Sequence, residues 1–314
     1  MLSRRQFLQA GSAVAGTIWT EQVLAQKRAA KRVSRVIDTH THFYDPTRPQ
    51  GVPWPSASNP VLYRKVMPDE LMKLGASHRV IGTIAVEASP WLEDNQWLLD
   101  LAAGNPAILG VIGNLQQSGE RFQEHLARFS KNPRFKGVRI NTPFFAKSDR
   151  RQVIASMQAI AGAGLIAEVN GGADGLVEIL ELKKEVPDLK IVIEHLPKLP
   201  SKSLEQRSRD FSALKELADL PDVFAKISYV LKMTPVAPSL DVEAYREDLD
   251  LLWKWFGASK VMYGSNWPVS NHVAPYDTII GLMKEYLADR KQEDNEKFFW
   301  RNARTIYRLD LEPF

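Results

Sequence analysis

Eight short runs of β-branched and aliphatic residues recur along the chain, each followed by an amphipathic segment, and this alternation narrows the fold more than any other feature. The runs are Val33–Asp38, Arg79–Val86, Ala107–Asn114, Phe135–Ile140, Leu165–Asn170, Leu189–His195, Val223–Tyr229 and Lys260–Gly264. Each has the length of a strand buried on both faces. Helical patterns cover Pro68–Ser77, Leu92–Ala103, Glu120–Phe129, Asp149–Ala161, Gly175–Glu185, Leu204–Leu220, Val242–Phe256, Ile279–Leu287 and Asn295–Tyr307. Strand-then-helix repetition of this kind predicts an α/β protein, a single-domain (β/α)8 TIM barrel. An open doubly wound sheet is disfavoured because His-x-His, not a glycine-rich phosphate loop, follows the first run. The longest irregular piece, Phe43–Met67, carries five prolines and is expected to cover the barrel mouth.

The 314 residues suffice for one large core, and no linker divides them. A net charge of +4 without a Lys/Arg-dense stripe argues against a nucleic-acid partner. Cysteine is absent, so disulfides, thiolate nucleophiles and zinc–thiolate sites are excluded. Residues 1–25 read as a twin-arginine signal peptide: Ser3-Arg-Arg-Gln-Phe-Leu8, a short apolar run, and a cleavage site at Val23-Leu-Ala25. Residues 26–35 form a basic tether, and the barrel spans 33–314. The expectation is a soluble periplasmic or extracellular protein, off the membrane after signal cleavage, with a small-molecule substrate and an unknown oligomeric state.

Active-site residues of such barrels sit at the C-terminal strand ends. The first strand ends Asp38-Thr-His-Thr-His42, and alternation places both imidazoles on one face, toward the barrel axis. Two inward histidines serve as a metal pair or a proton-handling pair. The sixth strand adds His195, with Glu194 of opposite parity expected to face the helices or a second layer. The seventh strand ends at Tyr229 and the eighth at Asn266.

The stretch Val36-Ile-Asp-Thr-His-Thr-His-Phe-Tyr-Asp45 resembles the opening of the amidohydrolase-related family, specifically its lactonase-like branch. Lys136–Ile140, Ile193–Lys198, Phe224–Ser228, Met262–Val269 and Asn302–Tyr307 are similar to later blocks of that family, in the same order. The family holds hydrolases of sugar lactones and of a pyrone-dicarboxylate lactone, with metal-dependent amidohydrolases and decarboxylases alongside. The resemblance implies a site of His40, His42, Arg139, His195 and the eighth-strand residue. The family places aspartate there; this chain has Asn266, whose amide accepts hydrogen bonds but no proton. The fifth strand, Ile166-Ala-Glu-Val-Asn170, also lacks the histidine of the metal-dependent branches.

Three readings follow. In the first, a lactone or similar cyclic ester of a polar or anionic molecule is hydrolysed, with His40, His42 or Glu168 as substitute base and with Arg139 and His195 polarising the carbonyl. In the second, a divalent metal, zinc foremost, sits on His40, His42 and His195 and activates water. In the third, the pocket only binds a small molecule. The expected cofactor is none or one divalent ion. Glu168 is either a pocket group or a buried partner of Lys136, and Glu87 a pocket hydrogen-bonder or a partner of Arg139. Phe43, Tyr44, Trp54, Trp91 and above all Trp267 could wall the pocket.

Overall fold

In the computed structural model, eight parallel strands follow one another in sequence order around a barrel: β1 (Val36–Thr41), β2 (Val80–Val86), β3 (Ile108–Gly113), β4 (Phe135–Ile140), β5 (Ile166–Asn170), β6 (Lys190–Leu196), β7 (Val223–Ile227) and β8 (Val261–Tyr263). The structure describes residues 33–115, 121–141, 148–170, 175–196, 203–231 and 238–311. The expected signal peptide, residues 26–32 of the tether, and Pro197 and Lys198 lie outside the described residues. Among the described residues no helix is long and apolar enough to cross a membrane.

The ring is drawn together between β8 and β1. Thr39 Oγ1 donates to the Tyr263 carbonyl at 2.6 Å, and His42 N donates to the Trp267 carbonyl at 2.9 Å. The Asp38 carboxylate accepts from Ser265 N at 2.9 Å, His40 N at 3.2 Å and the Tyr276 hydroxyl at 3.1 Å. Gly264 is required at this seam, because a Cβ there would lie 2.8 Å from that of His40 and 3.0 Å from that of Ser228.

Alternation along the strands divides the core in two. Ile37, Ile84, Val86, Ile112, Ile166, Val192 and Met262 pack with Ala303, Ile306, Tyr307 and Leu309 of the C-terminal segment. Their neighbours, such as Val36, Ala85, Val111 and Ala167, join the larger cluster that includes the apolar faces of the helices. Helix starts follow local chemistry. Pro68 opens the helix Pro68–Gly75 with Asp69 and Glu70 in its first turn, and Asp149 caps Arg150–Gly162 by accepting from Arg151 N and Gln152 N.

Several boundaries differ from the sequence expectation, two of them at the ends of the barrel's chain. β1 begins three residues later, because Ser34 gives its N–H and hydroxyl to the Glu296 carboxylate instead of to the ladder. The last helical pattern splits into Gln292–Glu296, a π-turn at Lys297–Arg301, and Asn302–Ile306.

Candidate functional site

A cavity of about 610 Å³ opens at the C-terminal ends of the strands. Its lining includes His42, Trp54, Glu87, Ser89, Asn114, Arg139, Asn141, Asn170, His195, Tyr229 and Asn266. Trp54 reaches it from the proline-rich loop, whose ends are held together by paired Tyr44–Val66 backbone bonds. The three strand-end histidines converge: ring centroids lie 5.0 Å apart for His40–His42 and 4.5 Å for His40–His195. His40 is fully buried and does not line the cavity, so of the two β1 imidazoles only His42 meets a ligand there.

Arg139 organises the wall. Its Nε donates to Glu194 Oε2 at 2.9 Å, Nη1 to Glu87 Oε1 at 3.3 Å, and Nη2 to His195 Nε2 at 3.1 Å. A guanidinium has no acceptor, so His195 Nε2 carries a lone pair and Nδ1–H donates to Ser228 Oγ at 3.1 Å. His195 therefore steadies Arg139 and does not itself present an N–H to a carbonyl, as the sequence reading expected. The Tyr229 ring lies 6.2 Å from that of His195 and completes this side.

All three imidazoles are neutral at physiological pH. Burial, with the Arg139 charge, lowers His42 to about 4. Burial lowers His195 to about 3; Glu194 opposes this and Arg139 reinforces it. Burial and the surrounding positive groups hold His40 well below its ordinary range. Burial raises Glu87 although Arg139 opposes it.

Beneath the cavity lies a buried ion network. Lys226 Nζ donates to Glu168 Oε2 at 2.6 Å and stands 4.0 Å from Glu194 Oε1. The Tyr307 hydroxyl donates to the other Glu168 oxygen. Burial and the nearby Glu194 charge raise Glu168, against the pull of Lys226. Burial also works against ionised Glu194, but Arg139 and Lys226 outweigh it and hold Glu194 below the usual carboxylate range. The network thus gathers two basic side chains, Arg139 and Lys226, and three carboxyls, Glu87, Glu168 and Glu194.

Three expectations need correction. Glu168 is wholly buried against Lys226 and Tyr307, away from the cavity lining, and so is neither a pocket group nor a partner of Lys136. Glu194 points inward. His195 takes a left-handed backbone (φ 60°), which interrupts strand alternation and lets consecutive side chains both face the mouth. Asn266 is likewise left-handed (φ 57°), so its amide enters the cavity while Trp267 turns beneath the β1–β8 seam. Trp267 is fully buried, 6.3 Å from the Phe43 ring, and walls nothing. Left-handed backbone at the tips of β6 and β8 marks a site where function overrides local preference. Sequence alternation missed Glu194 and Lys226; their charges on otherwise apolar strands were the available signal.

The sequence matches the amidohydrolase family over residues 37–309. The chain belongs to that family. It is 28% identical to an L-fucono-1,5-lactonase of Burkholderia ambifaria over 282 residues, 87% of this chain and 96% of that protein. An L-fucono-1,5-lactonase of Burkholderia multivorans is 26% identical, covering 84% and 92%. A crystal structure of a Burkholderia multivorans amidohydrolase with bound zinc shares the fold, with a TM-score of 0.75 at 23% identity over 88% of this chain and all of that one.

Whether this amidohydrolase suits a metal is settled by its donor set. His40, Glu194 and His195 bring one ligand atom each within 4.8 Å of one another, and both His40 nitrogens and Glu194 Oε1 lack hydrogen-bond partners among the described residues. A His/Glu donor set is thus present, with Glu194 where His42 was expected. His42 itself is engaged, Nδ1 by the Val86 and Glu87 carbonyls and Nε2 beside Asn266. The trio, however, already embraces a cation. Arg139 bonds both Glu194 and His195, and Lys226 stands behind. Like charges about 4 Å apart repel by roughly 4 kcal/mol at an effective dielectric near 20, and about twice that for a divalent ion. The donor types fit a metal and the charge balance does not.

Proposed function

We propose that this amidohydrolase opens the ring of a lactone borne by a small polar molecule, by hydrolysis and without a metal. The observation that carries the reading is the cavity wall. A guanidinium fixed on three acceptors and a neutral imidazole line one cavity together with strand-end carboxamides. Fixed positive charge facing a cavity stabilises the oxyanion that forms when water adds to an ester carbonyl. The neutral His42 imidazole leaves a lone pair available at physiological pH. Asn114, Asn141, Asn170 and Asn266, with Tyr229, offer hydrogen bonds suited to a hydroxylated ring. The L-fucono-1,5-lactonase names of the two relatives, matched over nearly their whole lengths, support the same reaction class.

In the reaction, Arg139 binds the lactone carbonyl oxygen and takes up charge as it becomes an oxyanion. Glu87, Glu194 and His195 keep the guanidinium from turning away. The carboxamides orient the ring, and Trp54 supplies an apolar face. A divalent ion such as zinc would have to take His195 Nε2 from Arg139 and sit beside the guanidinium. The Arg4-Arg5 motif and the apolar run after it support export by the twin-arginine route, to the periplasm or beyond.

The test is acid release from a panel of aldono-1,4- and 1,5-lactones, with a dicarboxylate lactone for comparison. Turnover of at least one sugar lactone well above the spontaneous rate is expected. No turnover on any lactone, together with tight binding of the corresponding acids, would make the pocket a binding site only.

A further inference from the structure

We propose that His42 and Asn266 jointly hold the attacking water, His42 Nε2 taking its proton; this rests on the lactone hydrolysis proposed above. His42 Nδ1 lies 3.1 Å from the carbonyl oxygens of both Val86 and Glu87. Both are acceptors only, so Nδ1 carries the hydrogen and Nε2 the lone pair. That lone pair faces Asn266 Oδ1 across 3.3 Å. Two acceptors cannot satisfy each other. One molecule with two O–H bonds satisfies both, and its own lone pairs then turn toward the cavity that His42 and Asn266 line.

The other bases near the cavity are engaged. Glu87 accepts from Arg139 and from Ser89 N, and His195 Nε2 accepts from Arg139. Glu168 is bound by Lys226 and Tyr307 beneath the cavity, and His40 is sealed off from it. The left-handed backbone at Asn266 aims its amide at His42. The asparagine that replaces the family aspartate thus keeps the aspartate's role as acceptor, and the proton goes to the neighbouring imidazole.

The step balances. One O–H bond of water breaks as its proton moves to His42 Nε2, and the oxygen forms a bond to the lactone carbonyl carbon. The π pair moves to the carbonyl oxygen beside Arg139. Collapse of that oxyanion breaks the ring C–O bond, and the imidazolium returns its proton to the departing oxygen, giving the hydroxy acid.

Steady-state hydrolysis of whichever sugar lactone the full-length protein turns over is compared for wild type, His42→Asn, His42→Ala and Asn266→Leu. His42→Asn should lower kcat by about 10²–10⁴-fold with KM within about threefold, the range of a lost general base. Imidazole added to His42→Ala should restore part of the rate, which a merely structural role would not allow. Asn266→Leu, which leaves the base but removes the second acceptor, should lower kcat about tenfold through lost orientation. A kcat for His42→Asn within about fivefold of wild type overturns the proposal while leaving lactone hydrolysis standing. If His42→Asn does not fold, an unchanged kcat for Asn266→Leu overturns it instead. Wild type inactive on every lactone overturns the function and this inference together.

Discussion

Arg139 Nη2 donates to His195 Nε2 across 3.1 Å, and because a guanidinium can only donate, this one contact fixes the tautomer of His195 and binds the residue to the cation. The cavity wall follows from that relationship. Glu87 and Glu194 hold the other two guanidinium nitrogens, and Ser228 receives the His195 proton.

Replacing Arg139 with lysine keeps the charge and loses the fork. A single ammonium cannot serve Glu87, Glu194 and His195 in their present places. Arg139→Lys should lower kcat/KM by about 10²-fold or more, in line with losing a preorganised oxyanion donor. Steady-state kinetics on a lactone substrate checks this. A loss below about fivefold would mean that the geometry of the clamp does not matter.

Lys226 is the second cation of the site and has no exposed side-chain surface. Lys226→Met leaves Glu168 without its cation and Glu194 with Arg139 alone. Breaking a buried pair from one side costs about 3–5 kcal/mol. Urea denaturation should show that loss, and adding Glu168→Gln should recover part of it. A Lys226→Met protein as stable as wild type would mean that the network carries no net stabilisation.

The depressed histidines set an acid limit. His42 and His195 titrate near 4 and 3 in the folded protein against about 6.5 unfolded, so the unfolded chain binds more protons between those values. Stability from these groups is complete above pH 6.5 and falls as pH drops toward 4. Each histidine loses about 1.4 kcal/mol for every tenfold difference in proton affinity between the folded and unfolded chain. Asp38, raised by burial to about 6, runs the opposite way over pH 4 to 6, and Glu168, which burial also raises, does so over a wider range. The histidine contribution is therefore read by difference: His195→Asn should lose less stability than wild type as pH falls from 6.5 to 4. An unchanged slope in that variant would place the acid sensitivity elsewhere.

Metal content follows from the charge balance around Glu194. Protein purified without added metal should carry less than about 0.1 equivalent of zinc, and chelator treatment should leave turnover unchanged, because Arg139 holds His195 Nε2 and its charge stands against Glu194. One equivalent of zinc by elemental analysis, with activity lost on chelation, would reverse this reading.

The barrel was legible because eight buried strands need eight apolar runs, and nothing local competes with that pattern. His40, His42 and His195 were legible through their position at strand ends. Glu194 was misplaced because parity fails at the left-handed His195, a backbone state that no flanking glycine announces. Trp267 was misjudged for the same reason one residue after Asn266. The Lys226–Glu168 pair joins β7 to β5 across the barrel interior, a partnership that strand patterns leave open because Lys136 was an equally charged candidate.

The sharpest measurement is acid release by pH-stat from aldonolactones, using protein exhaustively treated with chelator and confirmed metal-free. Full turnover of at least one sugar lactone is expected, abolished by Arg139→Met. Turnover that vanishes on chelation and returns only with zinc, or that survives loss of Arg139, would contradict metal-free hydrolysis on the Arg139 clamp.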